Sequence, residues 1–231
     1  MTMTTGVVAE RKIVAFHAYP DICPAFALWY HSNAAQTFFI PEAKMEALEG
    51  LLQREDTALV VVDIQEKLFP KVNNHQLVLD RCLKTIEFCK RLNIPIIVTE
   101  QYPSGLGLTL PAVQDTLGAE YKPIAKTAFS CFGEPAFVEA VEELEVASLV
   151  LIGIETHVCV AQTALVGMHG HDLEMVVLAD CVSSRDAYNT DVGLRRIDEE
   201  GGIISSMEMF FYEMLVRAKT DEHQAVFDLL K

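Results

Sequence analysis

Four segments of this chain are apolar almost throughout: TALVVVDI (57–64), IPIIVTE (94–100), SLVLIGI (148–154) and LEMVVLAD (173–180). Stretches of helical period separate them. A strand that is apolar on both faces has to be covered on both faces, which is the condition of a parallel sheet between layers of helices. The spacing therefore predicts repeated β-α units. The expected fold class is α/β, a three-layer α/β/α arrangement with a central, mainly parallel, Rossmann-like sheet.

The intervening pattern supplies the helices. Residues 74–93 carry an apolar stripe of Leu79, Cys82, Leu83, Ile86 and Cys89, which predicts an amphipathic helix with both cysteines as core filler. Further helices are expected over 133–145, with Pro135 in the first turn, over 158–170, ending at glycine, and over 190–202, capped by glycines. A short strand (202–206) and helices over 207–218 and 221–231 close the chain. MEALEGLLQRE (45–55) reads as a helix opening the compact domain, placed at 45–231. Residues 1–44 read as an N-terminal appendage, aromatic-rich and without a clear period.

Charge and cysteine usage narrow the function classes. The formal charge is −15. Arg11, Lys12 and Lys44 balance Glu10, Asp21 and Glu42 within 1–44, so the whole excess falls in 45–231. Binding phosphate backbones needs clustered Lys and Arg, so no nucleic-acid partner is expected. No apolar run approaches the ~18 residues of a membrane span, and no membrane partner is expected. The N-terminus lacks the pattern of a secretory signal. The six cysteines (Cys23, Cys82, Cys89, Cys131, Cys159, Cys181) form no CxxC pair and read as reduced thiols of a cytoplasmic protein.

Sites in such sheets gather beyond the carboxyl ends of the strands. Those ends deliver Asp63, then Glu100 with Gln101, then Cys159 through a turn, then Asp180; Lys126 lies in the region before Gly133. Cys159 opens a helix-compatible run, and the positive end of a helix dipole favours thiolate, the nucleophilic form. Asp63, Lys126 and Cys159 form a coherent set of acid, cation and nucleophile. Asp63 would take the thiol proton and return one to the leaving group, and Lys126 would bias both ionisations.

VVVDIQ with Asp63, KTAFS with Lys126 and GIETHVCV with Cys159 resemble, in this order, the three signature segments of the isochorismatase-like cysteine hydrolases. The likeness covers roughly residues 50 to 215. TEQYPSGLG resembles most the isochorismatase-domain branch. The resemblance implies a catalytic Asp-Lys-Cys triad, a small-molecule substrate and a homo-oligomer. It also implies a non-proline cis peptide at Ile154-Glu155, whose N–H would join that of Cys159 in holding an oxyanion. Nicotinamidases of this superfamily carry an Asp-x-His pair for a metal after the second strand. This chain has Glu100, Gln101 and Tyr102 there, so no catalytic metal, no cofactor and no nicotinamide substrate are expected.

Other readings stand beside these. Gln65, Phe69, Gln101, Tyr102, Phe129 and Phe132 fit a pocket wall and ordinary packing equally. Cys131 fits a packing cysteine better than a second reactive thiol. His157 is two residues from Cys159 and, at that spacing, does not face it on a helix; it reads as a rim or interface residue. His169 and His171 read as solvated. MEMFFYEML fits an oligomer interface and core packing equally. The expected activity is a cysteine hydrolase of a small amide, carbamoyl or related substrate through a thioester. The alternatives are a non-catalytic binding module and a redox-sensing thiol on the same fold.

Overall fold

Six parallel strands form one sheet in the computed structural model, which describes residues 50–230. They are β1 (Thr57–Val62), β2 (Ile96–Gln101), β3 (Ile124–Lys126), β4 (Ser148–Ile154), β5 (Glu174–Ser183) and β6 (Ile203–Ser205). Their spatial order is β3-β2-β1-β4-β5-β6. The chain builds outward from β1 in one direction, then returns to build outward through β4 in the other. Because such crossovers keep one hand, the reversal sends helices to both faces and opens a crevice between the ends of β1 and β4.

The main helices are α1 (His75–Arg91), α2 (Pro111–Leu117), α3 (Pro135–Leu144), α4 (Ala161–His171), α5 (Ala187–Glu199), α6 (Met207–Leu215) and α7 (Asp221–Val226). Each strand divides its side chains between two cores. On β1, Leu59 and Val61 pack with Ile86 and Phe88 of α1 and with Phe210 and Phe211 of α6. Ala58, Val60 and Val62 pack on the opposite face with Phe137 of α3, Ala164 of α4 and Ile197 of α5. All six residues of β1 are buried, each Val or Leu contributing roughly 1.5–3 kcal/mol. This is the three-layer α/β/α fold expected from the sequence.

Several boundaries differ from expectation. The appendage expected at 1–44 lies outside the described residues. The helix expected over 45–55 is not helical in its described half, where Gly50 has φ +89 and a 3-10 turn begins only at Arg54. β5 runs three residues past Asp180, because its pairing with β4 continues to Val182 and Ser183 after a register shift. Asp180 is thus not a strand-end residue. It binds Arg81 at 3.2 Å and accepts the Met207 N–H at 2.8 Å, tying β5 to α1 and α6. α4 ends one residue past the expected glycine, capped by Asp172 in the left-handed region. α5 starts earlier, at Ala187, because the Asp186 carboxylate accepts the Tyr188 N–H. The MEMFFYEML segment divides: Phe210, Phe211, Met214 and Leu215 are core, and Phe211 stacks on Phe88 at 3.8 Å. The backbone also forms helices at Pro103–Leu106 and Pro111–Leu117, each with proline in its first turn, that periodicity does not reveal.

Candidate active site

β1, β3 and β4 bring Asp63, Lys126 and Cys159 together at the crevice. Asp63 follows β1 with φ 52 and is fully buried. Its Oδ1 accepts from Thr99 Oγ1 at 2.8 Å and its Oδ2 from Lys126 Nζ at 2.8 Å. Lys126, the last residue of β3, donates also to Gln101 Oε1 at 2.7 Å and to the carbonyls of Phe129 (3.2 Å) and Ala128 (3.3 Å). The ammonium is thus surrounded by acceptors in the interior. Burial is the largest influence on the Lys126 pKa and lowers it, but the Asp63 carboxylate and the neighbouring Cys131 and Cys159 sulfurs together hold it above the ordinary lysine value.

β4 ends at Ile154, and the Ile154-Glu155 peptide bond is cis. A π-helical turn, Thr156–Val160, then leads into α4 and carries Cys159, which is only 5% exposed. Gly153 makes the approach possible. Its φ is +113, and a Cβ there would stand 2.0 Å from the Val62 carbonyl oxygen. β4 therefore lies directly against the residue before Asp63.

The Cys159 thiol differs from the expectation drawn from the helix dipole. Its pKa is raised, first by burial and then by the Asp63 carboxylate, with Lys126 opposing. A helix start favours thiolate by a modest amount, and burial beside a carboxylate overrides it. The site is an Asp63–Lys126 ion pair next to a thiol whose ionisation burial and the carboxylate disfavour. A carboxylate that can accept a proton thus stands within hydrogen-bonding reach of a thiol that can donate one.

The six residues that fit a pocket wall from sequence go different ways. Gln65 is fully buried; its amide donates to the carbonyls of Gln101 (3.0 Å) and Gly107 (2.6 Å), and its oxygen accepts the Gln101 N–H at 2.8 Å. It clamps the end of β1 to β2 and to the following turn. Phe69 belongs to the core on the α1 face. Gln101 holds Lys126 with its oxygen and donates to the Thr127 carbonyl at 2.8 Å. Phe132 packs in the opposite core, edge-on to Phe137 and stacked on His171 at 4.2 Å, so His171 is not simply solvated. Only Tyr102 (55%) and Phe129 (54%) are open to solvent. Both flank Lys126: Tyr102 N–H donates to the Lys126 carbonyl at 2.8 Å.

Other side chains complete the surroundings. Thr99 belongs to no motif of the sequence; it sits opposite Val62 in the β1–β2 register, and that register is the signal that points to it. Glu100 anchors the segment beyond β2, accepting from Thr109 N–H and Oγ1 (both 2.7 Å) and from Tyr121 Oη (2.8 Å). Cys131 is buried behind the ion pair, with its N–H on Thr163 Oγ1 at 2.9 Å and its pKa pushed up to about 11, chiefly by burial. His157 Nδ1 meets Ser184 Oγ at 2.9 Å. His169 meets Glu200 at 3.2 Å on the surface.

A six-stranded parallel sheet with a buried cysteine, lysine and aspartate gathered at its switch point defines an α/β protein of the doubly wound class. The chain matches the Isochorismatase domain over residues 57–209 and belongs to that family, within the isochorismatase-like hydrolase superfamily. It is 30% identical to isochorismatase domain-containing protein 2A of Mus musculus, over 82% of this chain and 89% of the mouse protein. Identity to isochorismatase domain-containing protein 2 of Danio rerio is 32%, over 78% and 90% of the two chains. Among solved structures, a Caenorhabditis elegans protein described as MAR1 ribonuclease superposes with TM-score 0.72 at 31% identity, over 78% of this chain and 92% of the other. The YcaC gene product of Escherichia coli, described as an octameric hydrolase of unknown specificity, shares the fold with TM-score 0.73 at 21% identity, over 78% and 90%.

Proposed function

We propose that this chain is a cysteine hydrolase of small amides, carbamoyl compounds or related acyl substrates. The observation that carries the reading is the buried Asp63–Lys126 pair set beside the buried Cys159 thiol. Cys159 sulfur attacks the carbonyl carbon as its proton passes to Asp63. The N–H groups of Glu155 and Cys159 take the developing oxyanion. Collapse expels the amine, protonated by Asp63, and leaves a thioester. Asp63 then deprotonates a water that attacks the thioester, and the returning proton restores the thiol. Lys126 keeps the carboxylate oriented and neutralises charge as the proton moves.

The test is a turnover screen of wild type against Cys159→Ala with small amides, carbamoyl compounds and nicotinamide. Hydrolysis of at least one of the first two classes, lost in the variant, supports the reading; equal rates in both proteins contradict it. A redox-sensing role fits less well, because sensor thiols are acidic and accessible, whereas burial and Asp63 push this one up. The ribonuclease description of the C. elegans relative does not transfer readily, since a formal charge of −15 disfavours a polyphosphate ligand. A homo-oligomeric state belongs to the same proposal, and sedimentation equilibrium tests it.

A further inference from the structure

Glu155 places a carboxylate in the interior at the point where β4 ends. The residue is 6% exposed. Its Oε1 accepts from both the backbone N–H and the Nε of Arg185, each at 3.0 Å. The Arg185 side chain itself is 62% exposed. The Glu155 carbonyl is engaged as well, accepting from the N–H of Val158 at 3.0 Å and of Val160 at 3.3 Å. On the other side, the last β4–β5 pairing joins Ile154 to Ser183.

The segment that supplies Arg185 is held from behind. Ser184 Oγ meets His157 Nδ1 at 2.9 Å, and the Ser184 carbonyl accepts the Asn73 N–H at 2.9 Å. Ser183 Oγ donates to the Asn73 carbonyl at 2.8 Å. Residues 183–185 therefore form a brace between the turn at 155–157 and the turn before α1. A neutral side chain would fill the Glu155 site without the desolvation that a carboxylate incurs. The charge has a consequence that packing does not need: it fixes Glu155 by two donors from one partner, and the guanidinium cancels a negative charge that would otherwise oppose an oxyanion nearby.

We infer that Arg185 is a positioning residue, which acts through the Glu155 carboxylate to hold the Glu155 N–H on the acyl oxygen of a substrate attached at Cys159. The inference rests on the proposed nucleophilic role of Cys159. Arg185 touches neither the sulfur nor the leaving group in this scheme. Its effect is confined to steps in which a carbonyl oxygen gains charge.

That restriction supplies the test. p-Nitrophenyl acetate acylates a thiol: the S–C bond forms, the thiol proton leaves to Asp63, the carbonyl oxygen holds the electron pair transiently, and p-nitrophenolate departs. Iodoacetamide alkylates the same sulfur at a saturated carbon and forms no oxyanion. Arg185→Ala and Glu155→Ala are expected to slow acylation of Cys159 at least about tenfold while leaving its alkylation within about twofold of wild type. Arg185→Lys keeps the backbone N–H donor and a cation beside Glu155 and should recover part of the acylation rate lost in Arg185→Ala. Equal slowing of both reagents in Arg185→Ala, or no slowing of either, overturns the inference and leaves the nucleophile standing. Wild type that takes neither reagent on Cys159 overturns the proposed function, and this inference with it.

Discussion

Lys126 Nζ lies 2.8 Å from Asp63 Oδ2, and neither side chain has exposed surface. Removing two charges from water costs several kcal/mol per ion, and only good geometry with further hydrogen bonds offsets it. Here Thr99 serves the carboxylate, and Gln101 with the Phe129 and Ala128 carbonyls serves the ammonium. Three strand ends and one loop are thus committed to holding a charge pair beside a thiol.

Asp63→Asn separates the two effects of the carboxylate. Its negative charge is one cause of the raised Cys159 pKa, so its removal leaves Lys126 to pull the thiol pKa down. Thiolate should then emerge at a lower pH than in wild type, followed by ultraviolet thiolate absorbance against a Cys159→Ser control. Turnover should fall about 10²–10⁴-fold, because the proton acceptor is gone. A thiol pKa that stays put or rises in Asp63→Asn would contradict the electrostatic account.

Lys126→Ala leaves the Asp63 carboxylate buried without its cation. Loss of one partner of a buried pair costs about 3–5 kcal/mol, read as a lower urea midpoint at unchanged slope. Asp63→Asn should cost less, since Thr99 and Lys126 retain a polar partner. A Lys126→Ala protein as stable as wild type would show that the pair is not desolvated as the geometry implies.

Gly153→Ala tests the approach of β4 to β1. The added Cβ meets the Val62 carbonyl oxygen at 2.0 Å, in a backbone conformation with φ +113. Steric displacement and positive φ together should destabilise the fold by about 3 kcal/mol or more. Chemical denaturation measures it, and a change below about 1 kcal/mol would contradict the close approach.

The layers of this fold follow from the apolar strands, and the amphipathic stripe of 74–93 from its period, because burial on two faces leaves a direct imprint on composition. The site was less evident. Asp63 ends a long strand and stands out, but Lys126 ends a strand of three residues, too short to show a period, and only the KTAFS resemblance points to it. Thr99 reads as an ordinary strand residue until the register sets it beside Asp63. Gln65 has the polar character of a site residue, yet its amide is used up on backbone groups. The ionisation of Cys159 depends on depth below the surface, which a helix-start pattern does not encode.

The most direct test of the account is mass-spectrometric mapping of the acyl group after brief exposure of folded protein to p-nitrophenyl acetate. The account predicts one acetyl group on Cys159, absent from Cys159→Ala, with Cys82, Cys89, Cys131 and Cys181 unmodified. Acetylation spread over the other cysteines, or a Cys159 that stays free while the protein turns over substrate, would contradict it.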